Sequence, residues 1–173
     1  MVPLLMTVVS ILVPHAGEIV FGVKVTDVHM HGLDDPVNSP VIHPSFDLVL
    51  RVDNRRLFRD CWNNITITVF YGDKIIGWGT VPDLCVGGLA SQEAKAAITH
   101  KDVVLTEAMR RSMASQLSTG ELKFDVGTMF CQGGYVDRNS NICGSKKGFQ
   151  HCRVNPGYQG YTACKHVYLH NNK

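Results

Sequence analysis

Charge is scarce in this chain and nearly balanced in sign. Charged residues make up 18% of the 173 residues, and the formal net charge is only +2, without a block of lysine or arginine. Proteins that bind nucleic acid concentrate positive charge on one surface, so we expect no nucleic-acid partner. The hydrophobic content of 45% argues against disorder, and the length suits one domain with a substantial core.

Catalytic sequence patterns are also missing. The chain contains no carboxylate pair placed for acid–base work, no glycine-rich phosphate loop and no C-x2-C pair of the kind that binds zinc. His29 and His31 fall on one face of a predicted strand and could ligate a metal, but two exposed histidines at a strand end are the simpler interpretation. We therefore expect a protein that is not an enzyme, without catalytic, cofactor-binding or metal-binding residues.

No apolar run in the sequence is long enough to cross a bilayer, which takes about 20 residues. Residues 2–13 are apolar apart from Thr7 and Ser10, without the basic start of a secretory signal and without a good cleavage site after them. Residues 1–20 are therefore set apart as an N-terminal segment with three open interpretations. They form a weak signal, the outer part of a membrane anchor whose start is missing, or a buried first strand.

The sequence does contain clear strand patterns. Apolar side chains alternate with polar ones through residues 46–52 and again through residues 65–71. Gly72-Asp73 then predicts a tight hairpin turn into a third run at residues 74–78. The alternation predicts these core positions: Phe46, Leu48, Leu50, Val52, Ile65, Ile67, Val69 and Trp78.

Further strand-like runs bring the expected total to seven or eight strands in residues 21–173. Only residues 102–117 have helical spacing, with Thr106 or Asp102 as the N-cap and Gly120 after the helix. Many strands with turn signals between them and one short helix predict an all-β fold. We expect a two-layer antiparallel β-sandwich of the fibronectin or immunoglobulin kind.

Four of the six cysteines lie in the last quarter of the chain, among residues typical of loops. Cys152 and Cys164 flank eleven residues that contain Pro156, Gly157 and Gly160, and a hairpin-like return there would bring them within disulfide reach. Cys131 with Cys143 is the second candidate pair, and Cys61 with Cys85 remains by elimination. Six cysteines allow 15 pairings, so the connectivity stays open, as do buried free thiols and, less favoured, zinc.

Disulfides would place the domain in an oxidising compartment, where one further signal becomes relevant. Asn64-Ile65-Thr66 is an N-glycosylation sequon, which has meaning only in an exported protein. Asn64 is therefore the candidate glycosylation site.

The order of these pieces resembles the plant late-embryogenesis-abundant group 2 (LEA-2) domain family, with its membrane-anchored hairpin-induced and disease-resistance relatives. Residues 46–54 are similar to a family strand that ends in Asn-Pro-Asn, although here Arg55-Arg56 replaces Pro-Asn. Residues 69–77 resemble the next strand, with its V-x-Y-x-G pattern. Cys152-Arg153-Val154 and residues 164–167 are similar to two C-x-V motifs near the end of anchored members.

The resemblance implies a fibronectin-like sandwich that an N-terminal helix attaches to the plasma membrane, without known catalytic residues. It also implies roles in pathogen or dehydration responses. We expect an outward-facing, non-enzymatic domain in plant defence or stress that binds an unidentified protein partner at the membrane. The alternative is a soluble intracellular domain that protects against dehydration, with reduced cysteines, and a secreted form is a further possibility.

Overall fold

A computed structural model describes residues 17–34, 40–132 and 146–167, and it confirms the all-β sandwich. Two antiparallel sheets pack face to face, and one helix accompanies them. The helix is α1 (Glu107–Thr119). The strands are β1 (Ile19–His31), β2 (Val41–Asn54), β3 (Asp60–Tyr71), β4 (Lys74–Val81), β5 (Leu84–Val86), β6 (Ala90–Thr99), β7 (Val103–Val104), β8 (Phe124–Gln132), β9 (Lys146–Val154), β10 (Thr162–Ala163) and β11 (Lys165–His166).

The strands divide into a five-stranded and a six-stranded sheet. The five-stranded sheet has the order β10-β1-β2-β6, with β7 paired to β2. The six-stranded sheet has the order β11-β9-β8-β3-β4, with β5 paired to β3. The described part of the chain has more strands than the sequence predicted, because β5, β7, β10 and β11 are only two or three residues long. Runs that short carry no readable alternation.

The core lies between the inner faces of the two sheets, where the alternating runs place it. Phe46, Leu48, Leu50, Val52, Ile65, Ile67 and Val69 are all at most 1% exposed, which confirms seven of the eight predicted core positions. Aromatic rings fill both ends of this layer. Phe21 stacks on Phe130 at 4.7 Å between ring centroids, and Phe46 meets Phe124 edge to face at 5.2 Å.

The prediction for Trp78 is wrong, because this side chain is 56% exposed. The pairing register of β3 and β4 shifts between Val69, which lies opposite Gly77, and Phe70, which lies opposite Ile75. Ile76 is therefore an extra residue on β4, a β-bulge, and its side chain is fully buried. One extra residue exchanges the two faces of a strand, so the bulge buries Ile76 and turns Trp78 outward.

The helix starts later than predicted, at Glu107, because residues 103–104 pair with β2 as β7. Of the two expected caps, the structure has Thr106, whose hydroxyl oxygen accepts a hydrogen bond from the Met109 N–H at 3.2 Å. Gly120 follows the helix in the left-handed conformation, with φ of 71°. Met113 is fully buried, and the Arg110 guanidinium donates to the carbonyl of Gly32 at 3.0 Å. These contacts fix α1 against the sandwich.

Candidate binding surface

The outer side of the six-stranded sheet carries an exposed apolar cluster. Ile75, Trp78 and Met129 are 47%, 56% and 46% exposed, and Phe70 and Phe149 beside them are half-buried. We call this cluster the apolar face; it consists of Phe70, Ile75, Trp78, Met129 and Phe149.

Strand register explains why these five side chains share one side of the sheet. Across β4, β3 and β8, Trp78 lies opposite Thr68, which lies opposite Gly127. Met129 is two residues beyond Gly127 and lies opposite Phe149 on β9. A Cβ atom at Gly127 would lie 3.0 Å from the Phe149 ring and 3.3 Å from the Phe70 ring. The absence of a side chain at Gly127 therefore lets the two rings close over the strand.

A charged group borders the apolar face on β8 and β9. Arg153 donates two hydrogen bonds to Asp125, from Nε to Oδ1 at 3.0 Å and from Nη2 to Oδ2 at 3.1 Å. His151 Nε2 lies 3.2 Å from the same Oδ1. The hydrogen bond from Arg153 lowers the pKa of Asp125 from its ordinary value, against the opposing effect of partial burial. Asp125 is therefore held ionised at neutral pH as the counter-ion of Arg153, and it is a poor proton donor.

A cleft of about 890 Å³ opens beside this charged group, between α1 and the β3–β4 turn. The Tyr71 hydroxyl lies 3.1 Å from Ser112 Oγ and 3.4 Å from Gln116 Oε1 on its wall. Lys123 and Asp125 line the same cleft. Among the residues that the structure describes, no group of three or more His, Cys, Asp or Glu side chains could hold a metal ion.

The structure places two cysteine pairs at disulfide distance. Cys152 and Cys164 are bonded, with Cα atoms 4.4 Å apart, which confirms the first predicted pair. Cys61 and Cys85 lie directly opposite each other on β3 and β5, with Cα atoms 4.1 Å apart, so the pair reached by elimination is also present. For the predicted pair of Cys131 with Cys143, Cys143 lies outside the described residues. The two bonded pairs indicate an oxidising or extracellular location.

The remaining predicted positions do not converge on one site. Asn64 is exposed, at positive φ of 50°, and its N–H donates to Asp83 Oδ1 at 3.2 Å. The exposed side-chain amide of Asn64 is accessible, and glycosylation stays a prediction.

The predicted histidine pair lies at the end of β1. The rings of His29 and His31 are 6.0 Å apart, and His29 Nε2 lies 2.9 Å from Asp27 Oδ2. Within the described ranges, no helix is long and apolar enough to span a bilayer, and residues 1–16 lie outside them.

The alternation in the sequence does not predict the apolar face, because it assigns Trp78 to the core. One signal in the sequence could have corrected this: Trp78 lies between Gly77 and Gly79. A Cβ atom on either glycine would come within 3.1 Å of the Ile98 side chain, so both positions face a full core. Two glycines that flank an aromatic residue on a strand indicate that the inward positions are crowded and the aromatic side chain points outward.

Comparisons with known proteins add little to this description. No family model matches the chain, and no curated protein does. Among solved structures, the chain is similar to a protein described only as "Crystal structure of protein from Archaeoglobus fulgidus". The TM-score is 0.32 at 10% sequence identity, over 76% of this chain and 97% of that chain. A match this weak supports no statement about the function.

Proposed function

We propose that this chain is a non-enzymatic β-sandwich domain on the outer side of the plasma membrane, where it binds a protein partner in plant defence or stress responses. The apolar face carries the proposal of partner binding. The bonded cysteine pairs support the outward orientation. The apolar residues 2–13 support membrane attachment, and the LEA-2 resemblance supports the biological setting.

The apolar face has the composition of a protein-binding surface. Trp is enriched among the residues that dominate binding energy, and large exposed apolar patches on soluble domains mark interaction sites. The face lies on four hydrogen-bonded strands, so binding a partner would cost little conformational entropy in this domain. Asp125 and Arg153 at its border supply the polar rim that such interfaces have.

The intracellular protective alternative fits these observations less well. It requires reduced cysteines, whereas four of the six form two bonded pairs in the structure. General protection against dehydration also does not require a localised cluster of large apolar side chains on one rigid face. A dedicated partner gives that cluster a role.

Site-specific photo-crosslinking on plant cells tests the proposal. A photoreactive residue at position 80, next to Trp78 on the outer side of β4, should yield a discrete protein adduct at the cell surface. The same residue at position 95, on the outer face of the other sheet, is the matched control and should yield none. Equal adducts at both positions, or none at position 80, would contradict binding through the apolar face.

The captured protein must then bind in purified form and depend on the apolar face. Trp78→Ser should weaken its binding about tenfold or more, the loss typical of a buried aromatic anchor. Tyr158→Ser is the control, because Tyr158 is equally exposed at 55% but lies elsewhere. A partner that binds the Trp78→Ser variant as tightly as the wild type would refute the assignment.

A further inference from the structure

A second group of exposed apolar side chains lies at one end of the sandwich, away from the apolar face. Leu57, Phe58 and Leu89 are 70%, 80% and 70% exposed, among the highest values of any large apolar side chains that the structure describes. They belong to two adjacent loops, residues 55–59 between β2 and β3 and residues 87–89 between β5 and β6. We call these two loops the tip.

The tip is a built structure rather than a pair of loose loops. Asn54 is 1% exposed, and its side-chain amide donates to the carbonyls of Phe58 at 2.8 Å, Val86 at 3.1 Å and Gly87 at 3.2 Å. Its side-chain oxygen accepts from the Arg56 N–H at 3.0 Å. One buried amide therefore satisfies polar groups of both loops and holds them together.

Further contacts lock the two loops in register. The Leu89 N–H donates to the Arg56 carbonyl at 2.9 Å, and a Cβ atom at Gly88 would collide with the Leu57 carbonyl. The Cys61–Cys85 disulfide ties the strands directly behind the tip. Leu89 itself has a positive φ of 56°, a strained conformation for leucine that glycine or asparagine would adopt more easily. The fold thus holds a large apolar side chain in solvent at a cost to stability.

Positive charge surrounds these apolar side chains. The tip contains Arg55, Arg56 and Arg59 and no acidic residue. Arg56 is held in place by Asp60 at 2.9 Å and by the carbonyl of Gly17 at 3.1 Å. Arg55 and Arg59 are exposed and form no ion pair within 4 Å with a described residue, and Arg55 interacts electrostatically with nearby Asp53. Apolar side chains with arginines around them match the surface of an anionic bilayer, which offers phosphates above hydrocarbon.

The position of the tip agrees with that chemistry. Its arginines contact Gly17 and Glu18, the residues at which the described chain begins: the Arg55 N–H donates to the Glu18 carbonyl at 3.3 Å. The described part of the chain therefore begins beside the tip, and residues 2–13, which come earlier in the sequence, are mostly apolar. The helix α1 lies at the opposite end, near the β3–β4 turn, so the tip faces away from it.

We propose that the tip is a lipid-contact site for anionic membrane surfaces. Leu57, Phe58 and Leu89 enter the headgroup boundary, while Arg55 and Arg59 bind lipid phosphates. The apolar face on the side of the sandwich then remains open to a protein partner. This inference does not rest on the proposed partner, because the tip and the apolar face share no residue and are tested separately.

Binding of the full chain to vesicles tests the proposal. The protein should partition onto phosphatidylcholine vesicles that contain phosphatidylserine more strongly than onto phosphatidylcholine alone, and added salt should weaken the binding. Arg55→Gln and Arg59→Gln should each reduce it about fivefold, and Phe58→Ser about tenfold. Arg111→Gln and Leu117→Ser, exposed positions on α1, are the matched controls and should change nothing.

Two further variants separate lipid contact from folding and from membrane binding by other segments. Leu89→Asn relieves the strained backbone, so it should bind lipid less while its stability stays equal or rises. Brominated lipids should quench the tryptophan fluorescence of the Phe58→Trp variant more than that of the wild type. In the wild type the fluorescence comes from Trp62, which is buried, and from Trp78 on the apolar face. A Phe58→Trp variant that binds vesicles without extra quenching would overturn the proposal, as would vesicle binding unchanged by the tip substitutions.

Discussion

The two sheets have similar inner faces and opposite outer faces. On the five-stranded sheet, Arg51 is bonded to Asp53 at 2.8 Å and lies 3.7 Å from Glu93. The Tyr161 ring lies beneath the Lys24 and Arg51 cations at 5.7 and 5.5 Å. Burial, together with the hydrogen bond to Glu93, raises the pKa of Tyr161 to about 12. The six-stranded sheet instead presents Ile75, Trp78 and Met129 to solvent.

This difference distinguishes the surfaces that stabilise the fold from the surface that is available for binding. The inner faces supply the buried core, and the charged outer face is typical of a solvated sheet. The apolar face contributes little to that core, so its composition calls for a different explanation. We attribute it to partner binding.

The largest effects should come from the inner faces and should be equal in the two sheets. Leu50 on β2 and Ile67 on β3 are both fully buried. Leu50→Ala and Ile67→Ala should therefore each lower the free energy of unfolding by about 2–5 kcal/mol. Urea denaturation of the two variants measures this. A cost below about 1 kcal/mol for only one of them would show that the sheets do not share one core.

The sequence predicted the inner faces well because alternation reports burial directly. Phe46, Leu48 and Leu50 follow a period of two without interruption, and the structure buries all three. The Cys152–Cys164 pair was predictable because glycine and proline between the cysteines indicate a short return of the chain. The alternation alone predicts Trp78 wrongly, because the bulge at Ile76 depends on pairing with β3; the only local signal is the pair of flanking glycines, Gly77 and Gly79.

The tip could not be predicted from the sequence for a related reason. In the sequence, Arg55-Arg56 is only a departure from the Asn-Pro-Asn of the LEA-2 pattern. The role of Asn54 depends on carbonyls of Val86 and Gly87, more than 30 residues away along the chain. Long-range hydrogen bonds of this kind leave no local pattern. The structure is needed to show that two distant loops form one surface.

The next prediction concerns neighbours on β4 that the bulge separates. Ile76→Ala should cost about 2–5 kcal/mol, because Ile76 is fully buried. Trp78→Ser should change stability by at most about 0.5 kcal/mol, although tryptophan is the larger side chain. Thermal or urea unfolding of both variants decides this. The reverse order of costs would place Trp78 in the core and remove the apolar face.

The smallest effect should be a pH dependence from the charged border. The pKa of Asp125 is lowered from the ordinary value of 3.8, so its bond to Arg153 stabilises the fold above about pH 4 and is lost as the pH falls below that. Arg153→Gln should therefore lower the urea midpoint at pH 6, and the difference from the wild type should shrink toward pH 2. A difference that persists unchanged at pH 2 would contradict this.

The most direct test of the contrast between the outer faces is covalent footprinting of the protein on the cells that express it and after purification. If a partner covers the apolar face, oxidation of Trp78 and Met129 should fall on the cells, while labelling of Glu93 and Lys95 on the charged face should not change. Purified protein at the same concentration should show no protection. Equal oxidation of Trp78 and Met129 in both settings would contradict the account.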